Sequence, residues 1–371
     1  MDGYVLKAVG GVNGVQEKSS WQWALLANAH AFIQGQHLRK IGVFMSKLVT
    51  IFGGSGFVGR YIARRMAQQG WRVRVACRRP NQALFVRSYG AVGQVEPVFC
   101  NIRDDASVAA ALAGAAAAVN CVGTFDMTGA NNFSAVQAQG AGRIARLATA
   151  GGLDALVQIS SLGADTASAS DYSRTKGEGE AAVLAAFPDA MILRPSVIFG
   201  NEDGFFNRFA AMAKSGPVVP LVGGNTRFQP VYVEDVAQAA VLGVTQGAKG
   251  IYELGGPDAE TLRQIIDHIL TVIQRRRLVI NMPFIAGATI AGGLGLVQAI
   301  TLGLFHNGIL TSDQVRSLRH DNVVSPGART LSDLGITPTA YAGVIPEYLW
   351  RYRPSGQYAA IKDSAKNLKK P

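Results

Sequence analysis

Two groups of residues carry chemistry. The first is Gly53-Gly54-Ser55-Gly56-Phe57-Val58-Gly59, set between an apolar run and a helical pattern. There Gly53 permits a tight turn, Gly56 lets backbone approach a diphosphate, and Gly59 lets a helix pack closely on its strand. The helix start then presents free N–H groups and a positive dipole end to phosphates. Ser55, Phe57 and Val58 complete a cradle for a dinucleotide; the alternative is a glycine-rich turn without a ligand. The second group is Tyr172 and Lys176, four apart on a helical pattern and so on one face. An ammonium beside a phenol favours the phenol's charged form and reaches a ribose, which equips Tyr172 to pass a proton while hydride moves. Chance alone produces this spacing readily, so its place after the fifth apolar run is what counts.

The end of the second apolar run reads Cys77-Arg78-Arg79. An NAD site places Asp or Glu about 20 residues beyond the glycines to bond the ribose 2′-hydroxyl. A carboxylate would repel a 2′-phosphate, whereas a guanidinium pairs with it bidentately and stacks on adenine. NADP(H) is therefore expected over NAD(H), held through Arg78 and Arg79, with solvated turn residues as the plain alternative. Along the same edge, the Asn101-Ile102 turn offers an amide to the adenine, and Asn120 with Gly123 leaves room beside the ribose.

Such residues need elements to bring them to one edge. Apolar runs at Leu48 to Phe52, Arg72 to Cys77, Val95 to Cys100, Ala117 to Val122, Ala155 to Ser160 and Met191 to Arg194 read as six strands. Helical patterns at Val58 to Gln69, Ser107 to Leu112, Ala135 to Ala150 and Tyr172 to Phe187 alternate with them. The expected fold class is α/β, a doubly wound parallel Rossmann sheet with its ligand crevice at the carboxyl edge and a smaller C-terminal lobe. That lobe takes helical patterns at Phe205 to Lys214, Glu234 to Thr245 and Thr261 to Arg275. Arg194-Pro195 reads as punctuation closing the sixth strand, and Arg174, Glu178 and Glu180 as a solvated helix face.

Composition narrows the classes further. The chain of 371 residues is 48% hydrophobic, enough for a sizeable core, and its 43 glycines follow no collagen-like period. Charged residues are 16%, below the usual quarter, so part of the surface is expected to contact something. A net charge of +11 suits a nucleotide, an acidic protein or an anionic membrane surface. Nucleic acid is not expected, because no arginine-rich run interleaves with aromatics. Neither the three cysteines nor the five scattered histidines have metal-ligand spacing, so no metal is expected.

Three divisions are expected: an extension over 1–45 outside the fold, a Rossmann domain with second-lobe insertions over 46–277, and an apolar helical region with a basic tail over 278–371. The extension reads as an over-extended start before Met45, or as a targeting segment. Residues 278–305 carry no charge, a length that crosses a bilayer, yet Pro283 and several glycines break the run. Helices buried in the lobe or a partner, helices lying on a membrane surface, and a span all fit it. Lys362, Lys366, Lys369 and Lys370 form a solvated tail or touch acidic lipid heads.

The glycine run with Tyr172-x-x-x-Lys176 resembles the short-chain dehydrogenase/reductase superfamily, extended or atypical branch, over Lys47 to Leu254. Three strings, Ile159 to Asp165, Tyr172 to Glu180 and Leu193 to Asp203, resemble more narrowly the nucleotide-binding accessory subunits of respiratory complex I (NADH:ubiquinone oxidoreductase) and their bacterial relatives. Gln229 to Ala237 is similar to the superfamily's second-lobe segment. The resemblance implies NADPH held tightly where the hydrophilic and membrane arms meet, with Ser160, Tyr172, Lys176, Pro195 and Ile198 at the cofactor. It implies complex I subunits as partners and peripheral membrane contact through 278–305. The implied place is the cytoplasmic face of a bacterial inner membrane, or the matrix side of a mitochondrial one.

Turnover is the open point. In active relatives a Ser or Thr that bonds the substrate carbonyl stands two positions beyond Ser160, and here that place is Leu162. Leucine donates no hydrogen bond, so Ser160 or Ser161 would have to substitute. An accessory or assembly subunit that holds NADP(H), with Tyr172 and Lys176 as clamps, is one reading. An NADPH-dependent reductase or epimerase acting on a sugar nucleotide, quinone precursor or other carbonyl compound is the second. A redox sensor whose contacts follow NADPH occupancy is the third.

Overall fold

A computed structural model describes residues 47–124, 129–289, 292–293 and 312–358. Seven parallel strands make one sheet: β1 (Leu48–Phe52), β2 (Arg72–Cys77), β3 (Val95–Phe99), β4 (Ala117–Asn120), β5 (Ala155–Ile159), β6 (Met191–Pro195) and β7 (Gly250–Leu254). Their order is β7-β6-β5-β4-β1-β2-β3. The order reverses direction at β1, beside β4, and in open sheets of this kind the carboxyl ends of the strands at that point border a ligand crevice.

The strands are apolar on both sides because helices cover both. Val49 and Ile51 of β1 join Val75, Val157 and Leu193 under α1 (Phe57–Gln68), whereas Phe52 joins Leu156 and Ile192 on the opposite face. On that second face lie α2 (Asp105–Leu112), α3 (Gln139–Ala150) and α4 (Asp171–Ala186). Burying a Val, Leu or Ile side chain contributes about 1.5–3 kcal/mol, so these two layers dominate the stability of the sheet. Thr50, fully buried in β1, donates its hydroxyl to the Ala111 carbonyl at 2.8 Å, which meets the requirement that a buried polar group be paired.

A second apolar cluster gathers Phe199, α5 (Phe206–Ser215), the strand Val218–Val222, a helix at Leu262–Val272 and another at Tyr341–Leu349. This is the smaller lobe. The helix Val233–Thr245, read from sequence as part of that lobe, instead packs on α1 and the sheet through Val236, Ala240 and Val244. Its apolar face matches the uncovered side of β5 and β6, and periodicity alone does not say which layer a helix joins.

The uncharged stretch begins as a strand, not a helix: Leu278–Met282 pairs parallel with Val218–Val222. Residues 284–289 are helical; 290–291 and 294–305 lie outside the described residues. Among the described residues no helix is long and apolar enough to cross a membrane. The expected N-terminal extension and the four tail lysines also lie outside the described residues.

Candidate functional site

The glycine loop is shaped as its residue types require. Gly53 has φ +72°, a conformation L side chains rarely adopt, and its N–H bonds the Ala76 carbonyl at 2.9 Å, tying the loop to β2. A Cβ on Gly59 would stand 2.4 Å from the Gly53 oxygen, so this helix turn can meet the loop only as glycine. A Cβ on Gly56 would meet only the Gly53 oxygen, at 3.2 Å. No acidic residue occupies the first turn of α1, whose dipole end is left to attract an anion. Phe57 and Val58, half-buried, pack on the core beneath. The Ser55 hydroxyl hydrogen-bonds the Cys77 thiol, whose pKa burial raises.

Behind the loop, Arg60 reaches the Ser55 carbonyl at 3.3 Å, lies 5.1 Å from the Phe85 ring and pairs with Glu202 at 3.2 Å. Tyr61 donates to the same carboxylate at 2.8 Å, and burial together with Glu202 raises its phenol pKa. Glu202, which the sequence did not single out, thus joins the loop's helix to the turn before α5.

At the end of β2, Arg78 and Arg79 are exposed; the Arg79 carbonyl accepts the Gln82 N–H at 3.0 Å, while neither guanidinium makes a hydrogen bond or ion pair with any described residue. One strand further, the Asn101 side-chain oxygen accepts the Arg103 N–H at 3.2 Å, leaving the amide nitrogen unengaged among the described residues. The Ile102 carbonyl accepts from Arg143 at 3.0 Å, and its side chain fills the space above Gly140. Asn120 is fully engaged: its nitrogen donates to Gln158 at 2.8 Å and its oxygen accepts the Val122 N–H at 3.0 Å. It braces β4 against β5, a role that spacing could not reveal.

On the other side of the switch point, Lys176 is 7% exposed. Its Nζ donates to the Ile159 carbonyl at 3.3 Å and sits 5.9 Å from the Tyr172 ring centroid. Tyr172 packs edge-on against Phe133 at 5.9 Å. A Cβ at the exposed Gly123 would lie 3.9 Å from that ammonium, so nothing but glycine separates the turn after β4 from Lys176. The structure therefore brings Tyr172, Lys176 and Gly123 together. Pro195 is buried, its carbonyl accepting the Leu162 N–H at 2.9 Å, and Ile198 lies half-buried opposite Val231. Leu162 is buried, whereas the Ser161 hydroxyl is buried without any hydrogen-bond partner, the one such side-chain atom among the described residues.

Two readings are corrected here. Glu180 is not on a solvated face: it is 4% exposed, accepts the Ser160 hydroxyl, and binds Arg194 through both oxygens, the shortest contact being 2.6 Å. It sits four residues beyond Lys176, on the same buried face of α4. Arg194 is not punctuation, because it also faces Glu253 at 3.6 Å, its strand neighbour across β6 and β7. The Glu180 carboxylate holds the Arg194 guanidinium above its ordinary pKa. Arg174 and Glu178 do form a half-exposed pair, at 3.4 Å.

A further residue escaped the sequence reading altogether. Asp313, 3% exposed, accepts the backbone N–H groups of Asp171 at 2.7 Å and Tyr172 at 3.1 Å and the Ser170 hydroxyl at 2.9 Å. It caps the helix that carries Tyr172 and Lys176 from 142 residues away in the chain. Among the described residues no three His, Cys, Asp or Glu converge as a metal would need.

Comparison with known proteins agrees with this architecture. The chain is 34% identical to the mitochondrial NADH dehydrogenase [ubiquinone] 1 alpha subcomplex subunit 9 of Arabidopsis thaliana, over 83% of this chain and 79% of that protein. It is 31% identical to the ceramide reductase of Caulobacter vibrioides, over 64% of this chain and 74% of that enzyme. Among solved structures, the UDP-glucose 4-epimerase of Thermus thermophilus in complex with NAD superposes with a TM-score of 0.60 at 19% identity, covering 83% of this chain and 99% of that one. The NAD dependent epimerase/dehydratase family matches residues 49–255, and the chain belongs to that family.

Proposed function

We propose that this protein is an accessory subunit of a respiratory NADH:ubiquinone oxidoreductase assembly, holding NADP(H) as a structural cofactor. The observation that carries the reading is the reach of the likeness. Similarity to the Arabidopsis complex I subunit extends over 83% of the chain, whereas similarity to the reductase covers 64%. The buried Leu162 supports a non-catalytic role, since the substrate side lacks a hydrogen-bond donor at the position where active relatives place one.

The crevice fits a dinucleotide. The loop leaves Gly56 open, Arg78 and Arg79 are unpaired cations at the end of β2, and the Lys176 ammonium faces an open Gly123. When bound, such a cofactor supplies a hydride; in this reading it supplies fold stability instead. Gly53, Ser55, Gly56, Phe57, Val58 and Gly59 border the diphosphate, and Arg78 with Arg79 holds the 2′-phosphate. Asn101 and Ile102 lie by the adenine, and Tyr172, Lys176, Pro195 and Ile198 by the nicotinamide end. Asn120 and Ser160 act behind them through Gln158 and Glu180. Ligand that binds only the folded chain stabilises it by about 4 kcal/mol at a thousandfold excess over Kd. The assembly would place the chain peripherally at a membrane. Purification in mild detergent tests this: co-migration with a large respiratory complex and release of NADP(H) on denaturation are expected, and a free monomer carrying no pyridine nucleotide refutes the reading.

The unpartnered Ser161 hydroxyl favours a second reading, a carbonyl reductase in which Ser161 replaces the missing donor. It predicts steady NADPH oxidation with a carbonyl substrate by the free chain, abolished by Ser161→Ala.

A further inference from the structure

Helix α4 borrows its cap. Its own N-cap, Ser170, accepts the Ser173 N–H only at 3.4 Å, and the first two N–H groups of the helix, those of Asp171 and Tyr172, go to Asp313. Ser170 and Ser317 hydroxyls meet at 3.1 Å beside that carboxylate, and the Ser317 hydroxyl donates back to the Asp313 carbonyl at 3.1 Å. The same strap of chain continues over the crevice's other supports. The Asn322 side chain and carbonyl accept the Ser196 hydroxyl, 2.7 and 3.0 Å, just after β6. The Ser325 N–H donates to Glu253 at 2.7 Å, and Glu253 faces the Arg194 that grips Glu180 on α4.

We propose that Asp313 is a positioning residue for the Tyr172–Lys176 pair, so that a dinucleotide in the crevice and docking of the 313–325 strap stabilise one another. The inference rests on the nucleotide reading above. The reason is geometric. The Tyr172 backbone nitrogen is held directly by Asp313, and Lys176 lies one turn further along the same buried face. Without the carboxylate, the two N–H groups that open the helix lose their acceptor together and the turn frays, which displaces both side chains. A negative charge at the positive end of the α4 dipole strengthens the hold. Because the linkage is between binding and a conformational state, it runs both ways: whatever fixes Tyr172 and Lys176 also favours the docked strap.

The test is NADPH titration of the full chain by fluorescence, alongside hydrogen exchange of the 314–320 amides. Asp313→Ala is expected to weaken NADPH binding about tenfold, with Asp313→Asn, which keeps one acceptor, in between. Saturating NADPH should slow exchange at 314–320 in the wild type and should fail to do so in Lys176→Met. The double variant Asp313→Ala/Lys176→Met should lose less than the sum of the single losses. Unchanged NADPH affinity in Asp313→Ala, or additive losses, overturns the coupling and leaves an ordinary cap. If Asp313→Ala does not fold, wild-type exchange decides alone: no slowing at 314–320 with NADPH bound overturns it. A wild type that takes up no NADPH removes the nucleotide reading itself, an outcome distinct from uptake without coupling.

Discussion

The two halves of the crevice are assembled differently. The half around the glycine loop comes from one continuous run, residues 48–79, made of β1, the loop, α1 and β2. The half around Tyr172 draws on β5, α4, β6, β7 and a strap more than 140 residues away, joined by buried carboxylates: Glu180, Glu253 and Asp313. The first half is set by backbone conformation, the second by charge pairs in a poorly solvated interior. One has few alternatives once the chain is made; the other depends on long-range contacts being present.

Breaking the second half should have the largest effect. Arg194→Ala leaves Glu180 and Glu253 buried without their counter-ion, with an expected loss of about 3–5 kcal/mol of stability measured by urea unfolding. A loss under 1 kcal/mol would mean water reaches this network. Gly59→Ala tests the first half: its Cβ must displace the Gly53 carbonyl, so a loss of about 2–3 kcal/mol and of nucleotide binding is expected. Arg78→Asp should leave the fold intact, because the side chain is exposed and unpaired, while weakening NADPH about 100-fold and NADH far less, as losing a charge-assisted bond would. Equal losses for both nucleotides would remove the 2′-phosphate assignment.

Smaller effects sharpen the contrast. Arg174→Ala, on the half-exposed face of α4, should change stability by less than about 0.5 kcal/mol. Cys121, between the halves, has its thiol pKa pushed up to about 12 by burial, although Lys176 opposes the shift. The folded chain keeps that proton while the unfolded chain loses it near the ordinary thiol value. Stability from this group is therefore full below about pH 9 and declines as pH rises towards 12. Cys121→Ser should flatten that alkaline decline, and Cys121 should resist alkylation at pH 8; rapid labelling of native protein would contradict its raised pKa.

What the sequence made legible follows the same division. Six strands and the glycine loop could be read because each signal fits within a dozen residues: an apolar run, a glycine where φ must be positive, a helical period. Tyr172 and Lys176 could be paired because four residues of helix bring them to one face. The same rule would have placed Glu180 with Lys176, had its charge not suggested solvent. β7 escaped because Glu253 interrupts its apolar pattern; Arg194 stands opposite it in the sheet and neutralises it there. The strand Leu278–Met282 was hidden inside a longer uncharged run, and its partner Val218–Val222 is far away in sequence.

By itself, then, the order of residues determined the sheet's main strands, the shape of the glycine loop and the cations beside it, since backbone sterics and helix geometry act over a few residues. Only the tertiary structure decided which carboxylates are buried, which helix covers which face, and that Asp313 caps the helix of Tyr172. Those outcomes depend on desolvation and on pairing between segments distant in the chain, and neither is written in any local window.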